Sequence, residues 1–175
     1  ILLSDEFKTT WSEKIKRPFE YAVSMMRSLE YDFEPLEPFF WRYDPAGQPL
    51  FAWPTPDGFP DEKERWTGTM SMLQRMRICN FLIGWKYDND GPNDGLYYFR
   101  PLEQTPSAIN TPQALVDYWG NRILGRAMPA EAYSEIVDFM ANGRNPTQEL
   151  PQEDLEERLR YMIALIFMSP VFMLR

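Results

Sequence analysis

Apolar residues recur every three or four positions in five stretches of the chain, which is the spacing of one face of an α-helix. These stretches cover residues 18–30, 67–85, 111–124, 129–142 and 151–169. Proline or glycine stands at most of their boundaries, as is typical of helix ends. Strand signals are few, so the pattern predicts an all-α fold of about five helices.

Each of the five helices has an apolar face that we expect to lie inward. In chain order these faces are Phe19, Ala22, Val23 and Met26; Met72, Met76, Cys79 and Ile83; Leu115, Val116, Trp119 and Ile123; Tyr133, Ile136, Val137 and Met140; and Leu155, Leu159, Met162, Ile163 and Ile166. Methionine and aromatic side chains are frequent among them. The helices therefore should pack around a core rich in both.

Residues 35–60 follow a different pattern. This segment contains seven prolines, which forbid a long helix. It also contains six Phe and Trp residues, more large apolar groups than a disordered linker carries. We therefore predict a long ordered proline- and aromatic-rich loop whose rings dock on the helices.

The composition limits the classes of function. A chain of 175 residues, 44% of them hydrophobic, is long enough to bury a core, and we expect residues 1–175 to form a single helical domain. The net charge of −8 disfavours nucleic acid as a partner, because an acidic chain repels phosphates. The longest uncharged run is too short for a membrane span.

Two residue types narrow the chemistry further. His is absent, which removes catalytic triads that use His and metal sites with His ligands from these residues. The one cysteine, Cys79, lies in an apolar helical stretch, so no internal disulfide is possible and a buried, inert thiol is expected. No catalytic residues are predicted.

The segment from Trp53 to Pro60 reads Trp-Pro-Thr-Pro-Asp-Gly-Phe-Pro and is the most unusual local sequence. Trp53 and Phe59 beside the Asp57 carboxylate are candidates for a binding platform that accepts a sugar ring or a peptide. The alternative is a rigid loop packed by its own aromatic rings, with the turn at Asp57 and Gly58.

An acidic turn offers a candidate metal site. Asp88, Asp90 and Asp94 could supply oxygen ligands to calcium. The EF-hand pattern fails, because Pro92 stands where a ligand should be. The alternative is an ordinary surface turn, and we expect no cofactor.

Positive charges cluster at two places in this acidic chain. The run from Lys14 to Arg17, including Lys16, could bind an anion or an acidic partner, or could be a solvated surface. In the second apolar stretch stand Arg75 and Arg77. We expect one of them to be buried against a carboxylate such as Glu20 or Asp57.

Several segments together resemble the C-terminal portion of the bacterial domain-of-unknown-function 1800 family. Residues 14–21 match a family signature of the form K-x-K-x-P-x-E-[FY]. Residues 47–60 resemble its G-Q-P…P-x-P-D-G-[YFW]-P loop. Trp66, Arg75 and Asn80-Phe81 are similar to its W…R…N-F helix, and residues 169–175 are similar to its S-P-E-F-Q-x-R terminus, with Val171 in place of the acid.

The resemblance implies a helical protein that is considerably longer than this chain, so the chain is expected to be its C-terminal fragment. It also implies export to the periplasm or outside the cell. Members often accompany a second protein of the domain-of-unknown-function 1501 family, which resembles sulfatases. No biochemical activity follows. The matched segments add Lys16, Glu20 and Arg75 to Trp53, Asp57 and Phe59 as ligand-binding candidates.

Two hypotheses for function follow, and whether the protein is an enzyme stays open. The first is a structural and interaction module of an exported bacterial protein, which docks on its own N-terminal part or on a partner protein. The alternative is part of an enzyme or binding protein for an extracellular polymer such as a polysaccharide, with residues 53–60 lining the cleft.

Overall fold

The protein is described by a computed structural model over residues 3–6, 13–30, 37–84, 99–153 and 155–174. The α-helices within these residues are α1 Pro18–Ser28, α2 Glu37–Tyr43, α3 Lys63–Trp66, α4 Thr69–Ile83, α5 Pro112–Leu124, α6 Ala130–Ala141, α7 Leu155–Met168 and α8 Pro170–Met173. Two 3-10 helices, Asp44–Ala46 and Pro101–Gln104, complete them. The only β contact in this part of the chain is an isolated antiparallel bridge between Ile15 and Leu174. The predicted all-α fold is confirmed.

The five predicted helices correspond to α1, α4, α5, α6 and α7. Local signals set several of their ends. At α5 the Thr111 hydroxyl accepts a hydrogen bond from the backbone N–H of Ala114 at 3.3 Å, and Pro112 occupies the first helical position. Gly125 ends this helix with a left-handed φ of 63°. The last long helix is Leu155–Met168, so Pro151, where the sequence predicted its start, lies outside it.

Helix α4 is the central element of the packing, because α1, α2 and α7 all contact it. Helices α5, α6 and α7 also pack on one another. A single hydrophobic cluster of aromatic, aliphatic and methionine side chains joins these elements. Its largest fully buried rings include Trp119, Tyr21 and Phe167. The predicted methionine- and aromatic-rich core is present.

The predicted inward faces are right for α5 and α7 and shifted for α1 and α4. In α1 the buried residues are Pro18, Tyr21, Ala22 and Met25, with Leu29 just beyond the helix, whereas Phe19 is 44% exposed. In α4 the Met76 side chain is 39% exposed, while Cys79 and Ile83 are buried as expected. Both helices carry apolar residues on more than one face, so only the neighbouring helices decide which face is covered.

Residues 35–60 are only partly a loop, which corrects the prediction. Helix α2 and the 3-10 helix Asp44–Ala46 occupy their first half, because Phe39 and Tyr43 fall one turn apart and are both buried. The prediction that the rings dock on the helices fails for two of them. The Phe51 side chain is 103% exposed and the Trp41 side chain 65%.

Candidate functional site

The basic segment 14–17 leads into α1, and its charges are used at that helix end. The backbone N–H of Arg17 donates to Oε2 of Glu20 at 2.9 Å. The Arg17 guanidinium lies 3.5 Å from the other oxygen of the same carboxylate. The backbone N–H of Phe19 donates to Oε1 of the buried Gln48 at 2.9 Å. Glu20 and Gln48 therefore satisfy N–H groups that a helix start leaves without intrahelical partners.

Arg75 is fully buried in the middle of α4 and binds backbone oxygens. Its guanidinium donates to the carbonyl of Trp66 at 2.8 Å, to the carbonyl of Lys16 at 2.9 Å and to the Ser71 hydroxyl at 3.2 Å. Burial lowers the pKa of Arg75. Arg75 thus ties the basic segment to the end of α3.

The expected ion pair between a buried arginine and Glu20 or Asp57 is not formed. Glu20 binds Arg17, and Asp57 accepts hydrogen bonds within its own loop. Three oxygen acceptors, none of them a carboxylate, bind the two terminal nitrogens of the Arg75 guanidinium, whereas its buried Nε has no hydrogen-bond partner among the described residues. Arg77, the other arginine of this helix, is exposed.

Lys16 joins the basic segment to the C-terminal segment. Its ammonium nitrogen lies 3.5 Å from the centroid of the Phe172 ring, a cation–π contact. Its backbone N–H donates to the carbonyl of Met173 at 2.8 Å. The Phe172 ring also makes edge contacts with Tyr21 and Phe167, at centroid distances of 5.6 and 4.7 Å. Lys16 is therefore already engaged in holding these segments together.

The loop from Trp53 to Pro60 packs on itself. The Trp53 indole N–H donates to Oδ1 of Asp57 at 3.2 Å, and the Thr55 hydroxyl donates to the same oxygen. The hydrogen bond from Thr55, and after it that from Trp53, lowers the pKa of the Asp57 carboxyl. The ring centroids of Trp53 and Phe59 are 4.7 Å apart, and those of Phe59 and Trp66 are 6.4 Å apart. These are contacts of a loop that packs on its own aromatic rings, and the binding role of Trp53, Asp57 and Phe59 stays a prediction.

Two contacts attach this loop to the rest of the molecule. The Trp66 indole N–H donates to the carbonyl of Pro60 at 2.9 Å. Asp61 lies 3.1 Å from the Arg17 guanidinium and 3.9 Å from the Lys14 ammonium. These contacts fix the end of the loop beside the start of α1.

The structure thus links the candidate residues through a chain of contacts. Lys16 and Arg75 meet directly, and Arg17 connects Glu20 to Asp61 at the end of the aromatic loop. Trp53, Asp57 and Phe59 form a separate group that reaches the others through Trp66. The four segments that carry the family resemblance therefore adjoin one another around the start of α1. The contacts between these segments form a structural junction, and Tyr21 and Phe81 also contact residues outside it, Phe167 and Phe39.

Two exposed features were not among the candidate residues. One is the turn at Leu50 and Phe51, which projects large apolar side chains. The other is a stripe on α4 formed by Met70, Leu73 and Met76, which are 64%, 40% and 39% exposed. A sequence signal for the stripe exists, because these residues are spaced by three on a helix that also has a full buried face.

A small surface cavity of about 100 Å³ lies away from this junction, between the end of α6 and the start of α7. Arg144, Arg158 and Glu153 are among its walls, so both signs of charge are present. Arg158 also donates to the carbonyl of Phe139 at 2.9 Å. No candidate residue from the sequence lines this cavity.

Metal-ligand clusters and membrane-spanning helices are both missing from the part of the chain that the structure describes. No cluster of three acidic or cysteine side chains there could hold a metal ion. Asp88, Asp90 and Asp94 lie outside the described residues. None of the helices between residues 3 and 174 that the structure describes has the length and apolarity to cross a membrane.

The fold and the junction define a helical domain in which the segments of the resemblance are structural neighbours. Residues 1–174 match the model of a family described as protein of unknown function, DUF1800. The chain belongs to this family. No curated protein and no solved structure gives a significant match to it.

Proposed function

We propose that this chain is a helical interaction module that docks on another part of its own protein or on a partner protein. The observation that carries the proposal is the turn at Leu50 and Phe51. The Phe51 ring is 103% exposed, although a large aromatic side chain normally gains free energy by burial. Aromatic side chains, Phe among them, are enriched at protein interfaces.

The backbone at this turn supports the same reading. Phe51 adopts a left-handed φ of 60°, a conformation that costs a bulky residue about 1 kcal/mol or more. A hydrogen bond closes the turn, in which the backbone N–H of Ala52 donates to the carbonyl of Pro49 at 3.4 Å. A strained backbone that holds an apolar ring in solvent costs free energy, and burial of that ring against a partner offsets this cost.

Both ends of the turn are held by contacts with the fold. Gln48, on one side, is buried and bonded to the backbone of Phe19. Trp53, on the other side, contacts Phe59 and donates to Asp57. A turn held in this way loses little conformational entropy on binding, which favours affinity.

The partner that we propose is the N-terminal part of the same protein or a co-encoded protein that resembles the domain-of-unknown-function 1501 family. We also propose that the protein is exported to the periplasm or outside the cell, and this part of the proposal rests on the family resemblance. The polymer-binding alternative has less support, because the rings of Trp53 and Phe59 contact each other and Asp57 is bonded within the loop.

Site-specific photo-crosslinking in the full-length protein tests the proposal. A benzoylphenylalanine replaces Phe51, and in a matched control it replaces Tyr161, an aromatic residue of α7 that is 55% exposed. We expect a crosslinked product at position 51 whose peptides map to a second segment of the protein or to a second protein. Equal crosslinking at positions 51 and 161 would contradict the proposal.

A further inference from the structure

We infer that the exposed stripe of α4 receives an amphipathic helix that carries an acidic residue opposite Arg77. This inference rests on the proposed docking function and names the chemistry of the partner. The stripe of Met70, Leu73 and Met76 lies on the side of α4 away from the buried residues of this helix. Arg77 follows Met76 on the same side.

The shape of the stripe fits a helix. The three stripe residues and Arg77 are separated by three, three and one positions, so together they form one ridge along two helical turns, about 10 Å long. Helices pack by placing such ridges into the grooves between side chains of a neighbour. Helix α4 already contacts α1, α2 and α7, and the stripe is the face that these neighbours leave open.

The charge of the stripe defines the partner further. Within Thr69–Ile83 there is no acidic residue, and the only charged side chains are the buried Arg75 and the exposed Arg77. No ion pair joins Arg77 to any of the residues that the structure describes. In a protein with a net charge of −8, the charged side chains of α4 itself are therefore all positive.

Covering the stripe also removes water from the guanidinium of Arg77. A cation that loses water without a partner is strongly unfavourable. The backbone carbonyls of a partner helix are bonded within that helix, unlike the carbonyls that bind Arg75, so a side-chain carboxylate is the acceptor that suits Arg77. A second copy of α4 cannot supply it, because α4 itself has no acidic residue. Charge complementarity therefore favours an acidic helix over self-association through this face.

The first part of the test maps the contact in the full-length protein. A benzoylphenylalanine replaces Leu73, and the crosslinked peptides are identified by mass spectrometry. We expect them to belong to a helix with Asp or Glu within one turn of the crosslinked residue. Peptides from a segment without an acidic residue, or from α4 of a second copy, would overturn the inference.

The second part tests the charge. We expect Arg77→Glu to lower the crosslinking yield at Leu73 about tenfold, which is a common size for a close interfacial charge pair. Arg77→Lys should retain most of the yield, and exchanging the mapped acid for Arg should restore it in Arg77→Glu. Arg27→Glu, on the exposed face of α1, is the matched control and should leave the yield unchanged.

The two proposals fail in different ways. Crosslinking at Phe51 without crosslinking at Leu73 overturns the acidic-helix inference and leaves the docking function in place. A crosslinking yield at Leu73 that does not change in Arg77→Glu also overturns the acidic-helix inference and leaves the docking function in place. No specific crosslink at either position overturns both.

Discussion

Arg75 and Arg77 are two residues apart on α4 but have opposite environments. Arg75 is fully buried and binds two backbone carbonyls, whereas Arg77 is in solvent. A helix turns by about 200° over two residues, so neighbouring arginines of this spacing face opposite sides. The two positions therefore separate a structural role from a surface role within one helix.

The first prediction compares substitutions at these two arginines. Arg75→Met should lower the free energy of unfolding by about 2–4 kcal/mol, because the buried carbonyls of Trp66 and Lys16 lose their donor. Arg77→Met should change it by about 0.5 kcal/mol or less. Urea unfolding monitored by circular dichroism measures both. Similar values for the two variants would show that the hydrogen bonds of Arg75 contribute little.

The second prediction concerns the buried thiol of Cys79. The thiol is 0% exposed, as the sequence predicted, and burial raises its pKa to about 12. The thiol of the unfolded chain ionises at about pH 8.5. The contribution of Cys79 to the free energy of unfolding is therefore fully present below this pH and is lost as the pH rises towards the pKa of the folded state. Tyr21, whose pKa burial also raises, acts in the same direction.

We therefore expect the midpoint of urea unfolding to fall between about pH 8.5 and pH 11 and to fall less steeply in Cys79→Ala. At neutral pH, iodoacetamide should label Cys79 in urea and leave the native protein unlabelled. Rapid labelling of the native protein at the unfolded-state rate would contradict the burial of this thiol.

At the scale of the elements, helix ends follow local rules closely. Thr111, Pro112 and Gly125 predict both ends of α5, and the structure contains the expected cap, the proline in the first turn and the left-handed residue after the last turn. Such signals depend on backbone geometry within four or five residues, so they can be read from sequence.

The third prediction tests the cap of α5. Thr111→Ala removes the acceptor for the N–H of Ala114 and should lower the free energy of unfolding by about 1 kcal/mol. Thr69→Ala, at the exposed first residue of α4, is the control and should change it by less than about 0.5 kcal/mol. Equal effects would mean that the hydroxyl of Thr111 is not acting as a cap.

The buried face of a helix is less readable than its ends. In α1 the spacing of Phe19, Ala22 and Met26 suggested one face, but the structure buries Tyr21 and Met25. The Tyr21 hydroxyl donates to the carbonyl of Phe167, 146 residues away in the chain. Since both faces of α1 are apolar, this distant contact and the position of α4 select the face.

At the scale of the whole molecule, the C-terminal segment closes the fold against the basic segment. Phe172 is 2% exposed and contacts Tyr21, Phe167 and the ammonium group of Lys16. Arg126 donates to the carbonyl of Val171 at 2.6 Å. Residues from both ends of the described chain thus share one core.

The fourth prediction contrasts two phenylalanines of the resemblance segments. Phe172→Ala should lower the free energy of unfolding by about 3–5 kcal/mol, because it leaves a cavity among aromatic rings. Phe51→Ala should change it by less than about 0.5 kcal/mol, because its ring contacts solvent. Thermal or urea unfolding measures both. A large loss of stability in Phe51→Ala would show that the ring is covered in the folded chain.

The sequence by itself determined the all-α class, the five long helices, several helix ends and the buried state of Cys79, because these depend on local spacing and on composition. Only the tertiary structure decided that Arg75 binds carbonyls rather than a carboxylate, that Trp53 and Asp57 bind each other, and that Phe51 and the α4 stripe are exposed. The contact of Arg75 with Lys16 joins segments 59 residues apart, whereas the bond between Trp53 and Asp57, four residues apart, depends on the conformation of their loop. Apolar spacing shows that a face can be buried, and only the packing of the other helices determines whether it is.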